Sequence, residues 1–256
     1  MATYTVTFGT PVYVAGGGGA VGGGTLSNVV GALILGVTGE GGYGARAPPS
    51  QTAGPTYNAS IAPNVNAPDI AIFPRIATAI NETFGSWNWT SSSETYAYPI
   101  ILKPPAGYVV PPLSALLDIP AVDDVATSVA GFRYSNPLTL AGQSNGDYLL
   151  AVSHRIRTST TNGATIGNIS PDTGFSVILQ SLPSPPGNMA LVANGWQQTT
   201  ATNTSASDLQ SLSISESSGY NNQSVLLAIL APILISSALP VPDWDERVTV
   251  PQYVFT

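Results

Sequence analysis

The sequence predicts an all-β protein, and three observations carry that reading. Glycine (26) and proline (22) together make up nearly a fifth of the 256 residues, which is high for helices and ordinary for strands joined by turns. Alternating polar and apolar residues begin at Thr3–Phe8 and recur along the chain, the period of a half-buried strand. Three Asn-Gly pairs, Asn145-Gly146, Asn162-Gly163 and Asn194-Gly195, suit hairpin turns because both residues tolerate positive φ.

Taken in order, the strand at Thr3–Phe8 leads to a glycine run at 16–24 and then to the apolar stretch Leu26–Val37. Residues 46–69 carry Pro48, Pro49, Pro55, Pro63 and Pro68, as a long extended loop or arm would. Two short helices are expected. Pro74–Phe84 places Ile76, Ala79, Ile80, Thr83 and Phe84 on one helical face, with Pro74 in the first turn. Pro120–Gly131 aligns Val122, Val125, Ala126 and Val129, with Gly131 as C-cap. Asp147–Thr160, Phe175–Leu182, Met189–Ala193 and Leu209–Ile214 read as strands, as do Arg247–Val250 and Tyr253–Phe255 around Pro251. No period of 20–50 residues marks a repeat architecture. The expectation is one β-rich domain over 1–256, with extended arms at 1–25, 46–69 and 243–256.

Charge is scarce. Only 8% of residues are charged, with one lysine (Lys103), one histidine (His154), no cysteine and a net charge of −7, where an ordinary domain is about 25% charged. A phosphate-binding surface needs clustered Lys and Arg, so nucleic acid is not an expected partner. Without cysteine there is neither a disulfide nor a thiolate metal site. The few basic groups also limit self-repulsion in acid, where the chain would reach only roughly +9. That suits a protein exposed to acid. The first 39 residues carry no charged side chain, so the basic region of a secretory signal is lacking. Residue 1 then reads as an unprocessed start, and release with an assembled particle is the expected route outside the cell.

Each motif has a plain structural reading. Gly17, Gly19 and Gly22, with Glu40 downstream, fit a dinucleotide fingerprint in spacing, but the alternation of helices and parallel strands it requires is missing. Asp172-Thr173-Gly174 matches an aspartic-protease tripeptide that occurs once, where that chemistry needs two carboxylates. Asp118, Asp123 and Asp124, and Asp243, Asp245 and Glu246 beside Arg247, are oxygen donors that a calcium ion could use. The plainer readings are first-turn helix carboxylates for Asp123 and Asp124 and a solvated turn for 243–247. His154, Arg155 and Arg157 lie on a strand without a second histidine or a nucleophile. No catalytic residue, cofactor or metal is therefore expected. Val225–Val241 is the most apolar stretch, but Pro232 interrupts it and it lacks basic flanks. Two buried strands broken near Pro232, or a subunit contact, are favoured over membrane contact. Asn58, Asn81, Asn88, Asn168, Asn203 and Asn222 each open an Asn-x-Ser/Thr sequon, which points to an exposed surface open to glycosylation.

The charge-poor, cysteine-free chain, rich in Thr, Ser, Asn and Gly, with its alternating start, resembles virion surface and capsid proteins, above all those of archaeal viruses from hot acidic springs. That resemblance is compositional and implies a β-sandwich of the jelly-roll kind. The expected function is structural: a subunit that assembles with itself or with other virion proteins into a shell, spike or filament by burying apolar strands between subunits. The expected location is the virion. One alternative is a surface-layer or pilus-like subunit on a cell. Another is a secreted acid-active hydrolase or carbohydrate-binding module, with Trp87, Trp89, Tyr96, Tyr98 and Trp196 lining a sugar groove.

Overall fold

The structure is a computed structural model that describes residues 2–14, 19–40, 49–60, 70–90, 95–125, 131–134, 138–139, 148–157, 166–171, 176–179, 189–198, 209–210, 212–216 and 220–235. Between residues 115 and 228 the description is of the backbone. Strands dominate throughout. In the first half they are β1 (Thr5–Phe8), β2 (Val12–Val14), β3 (Val21–Gly22), β4 (Thr25–Leu26), β5 (Leu33–Glu40), β6 (Ser50–Ala53), β7 (Ile70–Ile76), β8 (Glu82–Thr83), β9 (Ser86–Asn88) and β10 (Thr95–Lys103). After β11 (Tyr108–Val109) comes a four-residue helix, α1 (Leu113–Leu116). The second half contains β12 (Leu117–Val125), β13 (Gly131–Tyr134), β14 (Leu138–Thr139), β15 (Tyr148–Arg157), β16 (Ile166–Pro171) and β17 (Ser176–Leu179). It continues with β18 (Met189–Gln198), β19 (Leu209–Gln210), β20 (Leu212–Glu216), β21 (Tyr220–Ile229) and β22 (Ile233–Leu234). The protein is all-β, and its pairings are antiparallel.

Pairing divides into two sets. In the first, one sheet runs β1-β10-β5-β7, with β2 also on β10, and smaller sheets run β3-β9-β6 and β4-β8. In the second, the sheets run β12-β21-β15-β18-β17, β13-β20-β16 and β14-β19. Apart from β2 on β10 and β17 on β18, the two lists follow one diagram. In each, the first strand pairs with the last (β1-β10, β12-β21), two further pairs nest inside (β3-β9 and β4-β8, β13-β20 and β14-β19), and β5 or β15 lies beside the last strand. The strands that follow each set, β11 and β22, pair with each other.

The first large sheet is buried on both faces, because alternation sends successive side chains of β5 and β10 to opposite sides. Leu33, Leu35 and Val37 join Ile70, Ile72, Tyr96, Tyr98, Ile100 and Leu102 in one core. Ile34, Ala71, Phe73 and Ala97 face a second core with Trp87, Trp89, Phe84, Tyr57 and Val21. The first core also takes in Ile229 at the end of β21, and the Tyr4 hydroxyl donates to the Leu230 carbonyl at 3.0 Å. Contacts of this kind tie the two halves together.

Neither expected helix is seen among the described residues; 126–130 of the second lie outside them. Ile70–Ile76 is strand β7, followed by turn residues 77–81 and β8. Pro74 fits there because β7 is an edge strand. Its carbonyl accepts from the Asn58 N–H at 3.0 Å, so its missing donor also points away from β5. Leu117–Val125 is likewise strand, paired to β21 with a register shift between Leu117 and Pro120. Its valines are β-branched and Pro120 again sits on an edge. The segment 1–25, read as an arm, contains β1, β2 and β3, all paired within the chain. In 46–69, β6 pairs with β9, and residues 61–69 lie outside the described residues. Asn194-Gly195 is not a hairpin turn. It falls inside β18, opposite Val152 and Ala151. The other two Asn-Gly pairs and segment 243–256 lie outside the described residues.

Pro99 occupies the middle of β10, opposite Gly36 of β5. A central strand tolerates it because the opposite edge is interrupted there, between β1 and β2. The Gly9 N–H donates to the Pro99 carbonyl at 2.8 Å, and the missing Pro99 donor faces the same break. A Cβ at Gly9 would overlap the rigid Pro99 ring. Gly9→Ala is therefore expected to cost about 1–3 kcal/mol, measured as a lower urea midpoint at unchanged slope.

Candidate functional site

Titratable groups are few, and the dense network among the described residues serves the fold. Arg75, at the end of β7, grips Glu82 of β8 through two bonds, Nε to Oε2 at 3.0 Å and Nη2 to Oε1 at 2.8 Å. Glu82 Oε1 also accepts from the Thr78 N–H at 2.6 Å, the Ala79 N–H at 2.9 Å and the Thr78 hydroxyl at 3.1 Å. Burial alone would raise the Glu82 pKa. The Arg75 bonds, the Ala79 and Thr78 donors and the Arg75 charge outweigh it and hold the carboxyl at about 2. Arg75 Nη1 donates further to the Thr56 carbonyl at 3.1 Å, and the guanidinium lies 6.0 Å from the Tyr57 ring centre. Burial pushes the Tyr57 phenol up to about 12. An acid that is always ionised, a base that is always charged and a phenol that stays neutral do no proton transfer near neutral pH.

A cleft of about 260 Å³ opens where β1 gives way to β2, lined by Gly9, Thr10, Val12, Gly23, Gly24, Thr25, Leu26, Phe84 and Pro99. It presents main chain, two threonines and apolar surface, with no titratable side chain, so it supplies neither acid, base nor metal ligand.

The residues singled out from the sequence fall in several places. Asp118, Asp123 and Asp124 lie in β12, not in a helix, with Asp123 opposite Ser224 and Asp124 opposite Gln223. The helix-dipole account of Asp123 and Asp124 therefore falls. Asp243, Asp245 and Glu246, the Asp172 tripeptide and Gly17 lie outside the described residues. Among the described residues no three His, Cys, Asp or Glu come together as metal ligands. His154, Arg155 and Arg157 are in β15 as expected, with His154 opposite Val192 and Gln223. Of the sequons, Asn58 and Asn81 are exposed. Asn88 is half-buried in β9, and its Oδ1 is buried with no partner among the described residues. Asn168 and Asn222 lie in β16 and β21, and Asn203 lies outside the described residues.

Four of the five aromatic residues proposed for a sugar groove are core, and Trp196 lies in β18, where the description is of the backbone. Trp87, Trp89, Tyr96 and Tyr98 are each 0–1% exposed. Trp89 Nε1 donates to the Thr38 hydroxyl at 2.9 Å, which donates in turn to the Tyr96 carbonyl at 2.9 Å. None of the four offers a face to a ligand.

The surface is informative in one region. Val225–Val241 contains the end of β21 and then β22, broken around Pro232 as its proline suggested, but β22 is exposed and not the buried strand expected, and 236–241 lie outside the described residues. No helix among the described residues is long and apolar enough to cross a membrane. Ile233, Leu234 and Ile235 are 50%, 65% and 51% exposed, and Val109 of the paired strand β11 is 40% exposed. Val109 was missed in the sequence because it forms a patch only in company with β22, and no local pattern joins them.

Comparison with protein-family models, with curated proteins and with solved structures returns no match.

Proposed function

We propose that this chain is a structural subunit of a virion shell, built from two jelly-roll units in tandem. The observation that carries the reading is the pairing order. A jelly roll arises when a long antiparallel hairpin rolls up, so first pairs with last and the pairs nest inward into two sheets. The sequence β1-β10-β5-β7 with β3-β9-β6 has that order, and β12-β21-β15-β18 with β13-β20-β16 repeats it. Jelly rolls serve in lectins and enzymes as well as capsids, so topology alone does not select the role. Three further features favour a shell. Charge is absent from 173–207 and 217–242, the cleft and the Arg75–Glu82 network among the described residues lack catalytic chemistry, and four of the five aromatic side chains considered for sugar, Trp87, Trp89, Tyr96 and Tyr98, are buried.

Electron microscopy of the purified protein tests this at neutral pH and at pH 3. Closed shells, sheets or regular arrays are the expected result. A chain that stays monomeric in both conditions, or that hydrolyses or binds a glycan in a screen, would count against it.

A further inference from the structure

We propose that the outer edge of the β11–β22 ribbon docks a second copy of this chain. The inference rests on the assembly reading and assigns it a surface. Four of the seven exposed large apolar side chains among the described residues are Val109, Ile233, Leu234 and Ile235, all on or next to this ribbon. Three are consecutive, so alternation places apolar groups on both faces of one short strand. A strand added edge-on covers both faces at once, because its main chain pairs while its side chains flank the neighbour above and below. The ribbon contains two strands, which leaves each an outer side in the described sheet.

Two observations identify the occupant as a copy of the chain. Residues 217–242 carry no charge in a molecule of net charge −7. A charged partner finds nothing to pair with there, while two copies meet the least repulsion. In addition, β11 and β22 hold equivalent places, each directly after the last strand of its set, and they already pair with one another, Tyr108 opposite Leu234 and Val109 opposite Ile233. A second copy presents the same apolar β22 edge. Antiparallel pairing of β22 with β22 is self-complementary about a twofold axis.

The test is sedimentation of the full chain over about a hundredfold range of concentration, with thermal unfolding in parallel. Wild type and Leu234→Val are expected to self-associate. Leu234→Asp is expected to associate at least about tenfold more weakly, with an unfolding midpoint equal to that of wild type at concentrations where both are monomeric, since Leu234 is largely exposed. Undiminished association of folded Leu234→Asp overturns the proposal and leaves assembly standing through another face. A wild type that is monomeric throughout overturns both. A monomer that floats with neutral lipid vesicles unless Leu234 is changed to Asp overturns it in favour of a membrane.

Discussion

Trp87→Ala is expected to destabilise the fold by about 3–5 kcal/mol, enough to threaten the native state of an ordinary domain. Trp87 is the centre of the second core. Its ring stacks on Phe73 at 5.3 Å and meets Phe84 and Tyr57 edge-on at 5.1 and 5.3 Å. Its Nε1 has no partner among the described residues, so the loss is one of packing. The ring lies flat because Gly36 of β5 leaves room for it. A Cβ on Gly36 would come within 2.5 Å of Cη2 and 2.8 Å of Cζ2. Gly36→Ala in the wild type is therefore expected to cost about 1–3 kcal/mol. In the Trp87→Ala background the obstruction is gone, and the same change should cost little. Urea unfolding of the four chains measures this coupling, expected at about 1 kcal/mol or more. Additive costs would show that Trp87 does not rest on Gly36.

That contact also shows how far the sequence could be read. Strand β15 was legible because Asp147–Thr160 is a long β-like run, and the β21–β22 break was legible because Pro232 sits in an apolar stretch. The seat of Trp87 was not. Gly36, Tyr57, Phe73, Phe84 and Trp87 come from five segments, and only the pairing of β5, β7 and β9 with their neighbours brings them together. Both helix expectations failed for one reason. Apolar residues at Ile76, Ala79 and Ile80, or at Val122, Val125 and Val129, satisfy a helical period over a short window, but tertiary pairing overrides so weak a signal. Proline misled in the same way, since it opens a helix and sits on a sheet edge for the same lack of a donor. The doubled pairing diagram left no trace in the sequence, because nesting constrains which strands meet. It does not constrain which residues they carry, beyond apolar groups on the inward face. The candidate interface was half legible, through the uncharged run 217–242. Its partner strand at Val109 was not.

Glu82→Gln is expected to cost about 1–3 kcal/mol near pH 6, because the Arg75 bonds and the Ala79 and Thr78 donors hold the carboxyl well below its ordinary value. Glutamine keeps the shape, but it brings an amide donor toward the donors of Arg75 and loses the charge that offsets the guanidinium. The pH dependence identifies the cause. A carboxyl whose folded pKa is depressed stabilises the fold fully above its unfolded value and loses that contribution as pH falls through its folded value. The difference between wild type and variant should thus hold down to about pH 4.5, shrink between 4.5 and 2, and vanish below. Denaturant unfolding at pH 6, 4, 3 and 2 traces it. This bears on acid tolerance directly. The chain has 14 acidic residues, and carboxyls at ordinary pKa values add no stability that acid removes. Glu82 does add stability, and that contribution is lost progressively as pH falls from 4.5 to about 2. A fold collapsing near pH 4 would mean that other carboxylates titrate against it, and the link drawn here between scarce charge and an acidic surrounding would fail. A wild type whose advantage over Glu82→Gln decays between pH 4.5 and 2 until the two chains unfold alike would place the acid limit at the Arg75–Glu82 pair.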